Sequence, residues 1–130
     1  MTLDEFSAAL EEIAGSLPQK LFENLNGGVN IREEALLSPD SVPEEPRYIL
    51  GQYHHYRVLG RWIDLYYGSF CRAFPQETAE SWRQKIEKVL RHELRHHIEE
   101  QAGETTLRDE DLKDARAYRL RHLSKGEEKQ

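Results

Sequence analysis

His92, Glu93 and His96 form an H-E-x-x-H pattern within a stretch free of Gly and Pro. Imidazole nitrogen is a preferred ligand of zinc, which usually takes four ligands in a tetrahedron. On an α-helix, residues four apart are separated by about 40° around the axis, so both imidazoles can reach one cation from the same flank. Glu93 lies about 100° round from His92, beside such a cation rather than against it. A carboxylate there can take a proton from water activated by the metal. The expected site is therefore a divalent metal held by His92 and His96, with Glu93 as general base. Zinc is favoured by ligand type, and iron, manganese or nickel also suit an imidazole–carboxylate site.

A third protein ligand is needed, and several acids compete for the role. Glu110 opens an E-x-x-x-D spacing that ends at Asp114. Glu110 is the expected carboxylate ligand, with Asp114 placed to orient a ligand imidazole. Asp109, Asp111 and Glu104 are rivals just past Gly103. Glu99 and Glu100 sit on the same helix, more than about 4 Å further along its axis than His96, which disfavours them. His97 turns toward the apolar stripe and reads as a core or supporting histidine. His54-His55 reads as a sheet-edge pair and His122 as exposed near the tail. Tyr53, Tyr66 and Tyr67 have the chemistry to donate to an oxyanion, but packing is the expected role of each. Cys71 has no His or Cys neighbour in sequence and reads as a small buried hydrophobe.

Around this motif the apolar spacing predicts an α+β chain. Leu3, Phe6, Leu10 and Ile13 recur at helical steps over residues 2–16, and Thr2 with Glu5 has capping-box spacing. A short helix is expected from Pro18 to about Leu25, then a turn at Asn26-Gly27-Gly28 and a strand near 28–34. Residues 37–47 contain Pro39, Pro43 and Pro46 and read as a loop. Residues 48–56 read as a strand interrupted at Gly51. Residues 61–67 are the clearest strand, with Ile63, Leu65 and Tyr67 on one face and Trp62, Asp64 and Tyr66 on the other. Gly68-Ser69 is expected to turn the chain. Pro75 suits the first position of a central helix, which Gly103 is expected to stop. On that helix Trp82, Ile86, Leu90, Leu94 and Ile98 form the expected buried stripe, with Arg91 and Arg95 toward solvent. A last helix is expected over roughly 109–123, followed by a frayed tail at 124–130.

Composition narrows the class. A length of 130 residues with 38% apolar side chains suits a single domain with one modest core. The net charge of -6 offers no basic footprint for nucleic acid. No apolar run approaches a membrane span. The first 17 residues carry four acids and no Lys or Arg, unlike a secretory leader. A single cysteine excludes an intrachain disulfide and fits a reducing compartment, so the expected location is cytoplasmic. Oligomeric state is not legible.

The chain resembles the small bacterial zincin-like metallopeptidases, or minimal zincins, over about residues 1–111. Ser16-Leu17-Pro18 with Phe22, Leu25, Asn26, Val29-Asn30-Ile31 and Glu33-Glu34 is similar to that family's opening helix, turn and first strand. Ile49-Leu50-Gly51-Gln52-Tyr53 is similar to its L-G-x-Y segment, and Ile63 to Gly68 to its strand ending in tyrosine and glycine. His92-Glu93-Leu94-Arg95-His96-His97 is similar to its active helix, including the doubled histidine. The resemblance implies a zincin-like fold, a small mixed sheet beside the active helix with an added N-terminal helix. Together with the last helix read above, the expected fold is three to four strands packed on a central active-site helix, with N-terminal and C-terminal helices. It implies zinc on His92 and His96, Glu93 as general base, and a zinc peptidase. It also implies a sheet-edge strand, near 61–67 or 48–56, along which a peptide or protein substrate lies as an added strand. The better-known members continue H-E-x-x-H-x-x-G-x-x-D, where this chain has Glu99 and Ala102, so their third ligand does not carry over. The alternative expectation is a non-catalytic metal-binding or peptide-binding module on the same fold.

Overall fold

Thr2 and Glu5 cap the first helix reciprocally. The Glu5 amide donates to Thr2 Oγ1 at 3.1 Å, and the Thr2 amide donates to Glu5 Oε1 at 2.8 Å. Helix α1 (Leu3–Ser16) follows and buries Phe6, Ala9, Leu10 and Ile13, the face that its periodicity predicted. The computed structural model describes residues 1–106, with side chains through residue 103. The expected helix at 109–123, the tail and Glu110, Asp114 and His122 lie outside the described residues, as does the side chain of Glu104.

After a 3-10 turn at Gln19–Phe22, shorter than the helix expected at 18–25, strand β1 (Val29–Arg32) enters the sheet. The observed class is α+β. Strand β5 (Gly60–Tyr66) is central, with β1 parallel to it on one side and β4 (Gly51–Tyr56) antiparallel on the other. β4 is thus an edge of a small mixed three-stranded sheet. Two further strands, β2 (Leu36–Leu37) and β3 (Tyr48–Ile49), pair only with each other. The strand expected over 48–56 therefore does break. It breaks at Leu50, where the chain changes partner, one residue before Gly51.

Two elements depart from expectation between β5 and the long helix. The residues expected to turn at Gly68-Ser69 form helix α2 (Tyr67–Ala73) directly from the strand end. This is possible because Gly68 lets residues 33–35 pass against it. A Cβ there would sit 2.5 Å from Ala35 N and Glu34 C. The buried Ser69 Oγ accepts the Leu36 amide at 2.8 Å, joining α2 to β2. The second departure is the start of helix α3 (Ala79–Thr106), which lies four residues past Pro75. Thr78 is the cap: its Oγ1 accepts the Ser81 amide at 3.1 Å, a bond that proline cannot supply. Gly103 does not stop the helix, which runs on to Thr106.

The core lies between α1, α3 and one sheet face. Phe6, Leu10, Ile63, Leu65, Phe70, Ile86 and Leu90 are all within it, and Phe6, Phe70 and Trp82 meet edge to face or tilted. Ile63 and Leu65 point into this core, as the period-2 pattern predicted. On α3 the expected stripe holds for Trp82, Ile86, Leu90 and Leu94 but fails at Ile98, which is 39% exposed. Steps of four drift by about 40° each, so Ile98 ends about 160° from Trp82, whereas Glu93 and His97 fall within about 60° of it. Both of those are buried.

Candidate functional site

β4 and α3 run beside each other, and Gly51 sets how closely they approach. A Cβ on Gly51 would lie 2.7 Å from Val89 Cγ1 and 2.8 Å from Leu65 Cδ2. With that contact allowed, α3 lies against the free edge of the sheet. In the β4–β5 ladder the Tyr66 amide donates to Leu50 O, so the even-numbered residues of β4 bond to β5. The amides of Gly51, Tyr53 and His55 consequently face outward. The Tyr53 amide donates to the Glu93 carboxylate.

Glu93 is 8% exposed, and burial pushes its carboxyl up to about 7, against a smaller opposing effect of the Tyr53 amide. A carboxyl that gains a proton near neutrality is matched to proton transfer at neutral pH. On the outer side of the same helix, His92 is exposed and His96 half-buried. Their Nε2 atoms lie 3.2 Å apart, with the rings at 90°. Two nitrogens bound to a tetrahedral zinc at about 2.05 Å would be separated by about 3.3 Å. The spacing of the pair therefore fits two positions of one tetrahedral ion. Among the described residues no group of three or more His, Cys, Asp or Glu is close enough to hold a metal. The expected third ligand, Glu110, lies outside them.

A cleft of about 920 Å³ opens between α3 and the β3–β4 edge and includes His92 and Glu93. A smaller recess of about 460 Å³ lies on the His96 side, against Pro39 and Gln52. Both include Ile49, Gly51 and Glu93. The histidine pair thus stands with one ring on each hollow and the buried carboxyl common to both.

A polar network behind the site holds β4 onto α3. The buried His97 donates from Nε2 to Glu23 O at 2.7 Å, leaving Nδ1 to accept from Tyr53 Oη at 2.9 Å. Tyr53 Oη is also 2.9 Å from Glu100 Oε1, so its proton is divided between the two. Glu100 takes His55 Nδ1 at 2.8 Å and Arg61 Nε at 3.2 Å. Burial works to raise the Glu100 carboxyl, but hydrogen bonds from His55, Tyr53 and Arg61 outweigh it and hold the group below its usual range. His97 is thus the supporting residue expected, and burial lowers its own proton affinity.

The remaining candidates lie away from the cleft. His54 stacks on Trp62 and Tyr56, with Nε2 3.3 Å from Asp64. Tyr67 donates to Met1 O, whereas Tyr66 donates to Gln52, a residue of the His96 recess. Cys71 is partly exposed rather than buried. Of the two substrate edges expected, the 61–67 segment lies in the central strand β5, which is paired on both sides, so only the 48–56 segment is an edge. Within it Ile49, Gly51 and the outward Tyr53 amide were not singled out. Only Gly51 carried a signal, as a glycine inside a strand pattern.

No family model matches the chain, and no curated protein matches it. Among solved structures, a conserved hypothetical protein from Thermus thermophilus is similar, with 29% identity and a TM-score of 0.67. The match covers 79% of this chain and 99% of that one. No helix among the described residues is long and apolar enough to cross a membrane.

Proposed function

We propose that the protein is a small zinc-dependent peptidase of zincin-like architecture. The observation that carries this reading is the pair of Nε2 atoms 3.2 Å apart beside a buried carboxyl, at the meeting of two hollows along a sheet edge. The donor set fits as far as the described residues go: His92 and His96 would hold the ion. Zinc bound there supplies Lewis acidity, which acidifies water and polarises a carbonyl.

The chain's own residues would then act as follows. The outward amide of Gly51 and the edge carbonyls of β4 align an extended peptide as an added strand. Glu93, held by the Tyr53 amide, takes a proton from the attacking water and returns it to the departing amine. Its burial favours a carboxylate that both accepts and releases that proton near neutral pH. The Tyr53–His97–Glu100 network fixes the edge relative to α3 and so keeps Glu93 in register with the backbone it must serve.

The test is metal analysis of untagged protein followed by hydrolysis of a mixed peptide library. Cleavage that depends on added zinc and is lost in Glu93→Gln is the expected result. Hydrolysis unchanged in Glu93→Gln rejects the base assignment, and no hydrolysis with any divalent metal rejects the enzyme. Glu99 and Ala102, where related motifs place glycine and the ligand aspartate, favour a second reading: a metal-binding module that captures peptides without turnover. Stoichiometric peptide binding without products would support that module.

A further inference from the structure

The outer wall of the larger cleft is cationic although the chain as a whole carries a net charge of -6. Lys85, Lys88, Arg91 and Arg95 all border it from α3, and among the described residues Glu93 is the one acid on its walls. Lys85 is tied to Glu77 at 2.9 Å and lies over the Phe74 ring, and Arg91 is paired with Glu87 at 2.8 Å. Lys88 and Arg95 are exposed and have no ion-pair partner among the described residues. The strand side of the cleft is apolar, with Ile49 and Leu50, and Val89 of α3 meets Gly51 between the two sides.

We infer that the cleft selects an extended peptide segment bearing acidic side chains beside an apolar one. The inference deepens the peptidase reading and rests on it only for the position of the scissile bond. Lys88 and Arg95 are seven positions apart, a distance of about 10.5 Å along the helix. An extended chain advances about 3.4 Å per residue, with side chains on one face every second residue. The two cations therefore span about three peptide residues. Two acids on the face toward α3, at every second residue and so about 6.8 Å apart, fall within the span of these two long side chains, while an apolar side chain packs against Ile49 and Val89. A helical or folded partner does not match this geometry, because the sheet edge on the far wall offers backbone groups to an extended chain. Nucleic acid would meet the same two cations, but two of them beside apolar residues make no continuous track for successive phosphates.

An exposed ion pair is worth roughly 1.5- to 5-fold in affinity, so two of them replaced by repulsion change it by about tenfold. The test uses the full chain with zinc chloride and the substitution Glu93→Gln, which removes turnover. Three fluorescent octapeptides share an apolar centre and differ only in flanking side chains: all Glu, all Gln or all Lys. Anisotropy at about 20 mM salt should show the Glu peptide bound roughly tenfold more tightly than the Lys peptide. That ratio should shrink at about 300 mM salt and invert when Lys88→Glu and Arg95→Glu are added. Equal binding of the three peptides, no binding of any, or a preference that survives the double reversal overturns the inference. So does displacement by a single-stranded oligonucleotide in preference to the Glu peptide, or self-association that excludes all three. Failure of the peptidase reading is separable: charge-selective binding without cleavage by the unsubstituted chain rejects the enzyme and retains the selectivity. Cleavage of all three peptides at one rate does the reverse.

Discussion

Replacing Glu93 by Gln should stabilise the metal-free protein. The carboxyl is 8% exposed, and burial raises it from 4.5 to about 7. The sign follows from proton binding: between those two values the folded chain holds a proton that the unfolded chain releases. Stability from this group is therefore complete below about 4.5 and is lost as the pH rises through about 7. The interval from 4.5 to about 7 corresponds to roughly 3 kcal/mol at about 1.36 kcal/mol per pH unit. Water in the adjoining cleft relaxes part of it, so a gain of about 1–3 kcal/mol is expected at pH 8. Gln has the same shape, can accept the Tyr53 amide through its carbonyl, and carries no charge to desolvate. In a chain of 130 residues that gain raises Tm by roughly 4–12 °C. The assay is thermal or urea unfolding of both proteins with excess chelator at pH 4.5, 6 and 8. The difference should be near zero at pH 4.5 and grow with pH. A difference independent of pH, or a variant less stable at pH 8, would refute the claim that burial of the Glu93 carboxylate in this cleft outweighs its bond from the Tyr53 amide.

Zinc should stabilise the protein by about 2.7 kcal/mol at a free concentration 100 times its Kd, and His92→Ala or His96→Ala should each remove that gain. An equal Tm response in the variants would place the metal elsewhere. Gly51→Ala brings a methyl within 2.8 Å of Val89 and Leu65 side-chain carbons and should cost about 1–3 kcal/mol in urea unfolding; an unchanged midpoint would show that α3 is free to shift from the edge. Because its hydrogen bonds hold the Glu100 carboxyl below 4.5, its contribution is present above that value and is lost as pH falls through the lower folded one. Glu100→Gln should accordingly flatten the acid limb of Tm below about pH 4.5, and parallel limbs would count against the network. Tyr53→Phe removes the hydroxyl shared by the buried His97 Nδ1 and Glu100 Oε1 and should cost about 1–3 kcal/mol, with equal stability counting against those bonds.

Residue type and period alone placed the elements that carry the site. The spacing of Thr2 and Glu5, the 3.6-residue stripe of α1 and the alternation around Ile63 and Leu65 all appear in the fold, because each depends on neighbours within one or two turns or along one strand. The same local geometry puts His92 and His96 on one flank of α3, where their Nε2 atoms meet. The burial of Glu93 and His97 was also contained in the helical angle, once steps of four are allowed to drift by about 40° each. What the sequence left open depends on contacts between segments far apart along the chain. The raised Glu93 carboxyl requires the β4 edge above it, and that edge reaches it only because Gly51 meets Val89. The α2 helix replaces an expected turn because Gly68 lies under residues 33–35. Lys88 and Arg95 are ordinary solvent-side residues on a helical wheel; a strand packed across from them makes them one wall of a cleft. Short-range periodicity specifies which faces pair with water or with the core, whereas desolvation and cleft shape arise only when two such faces meet.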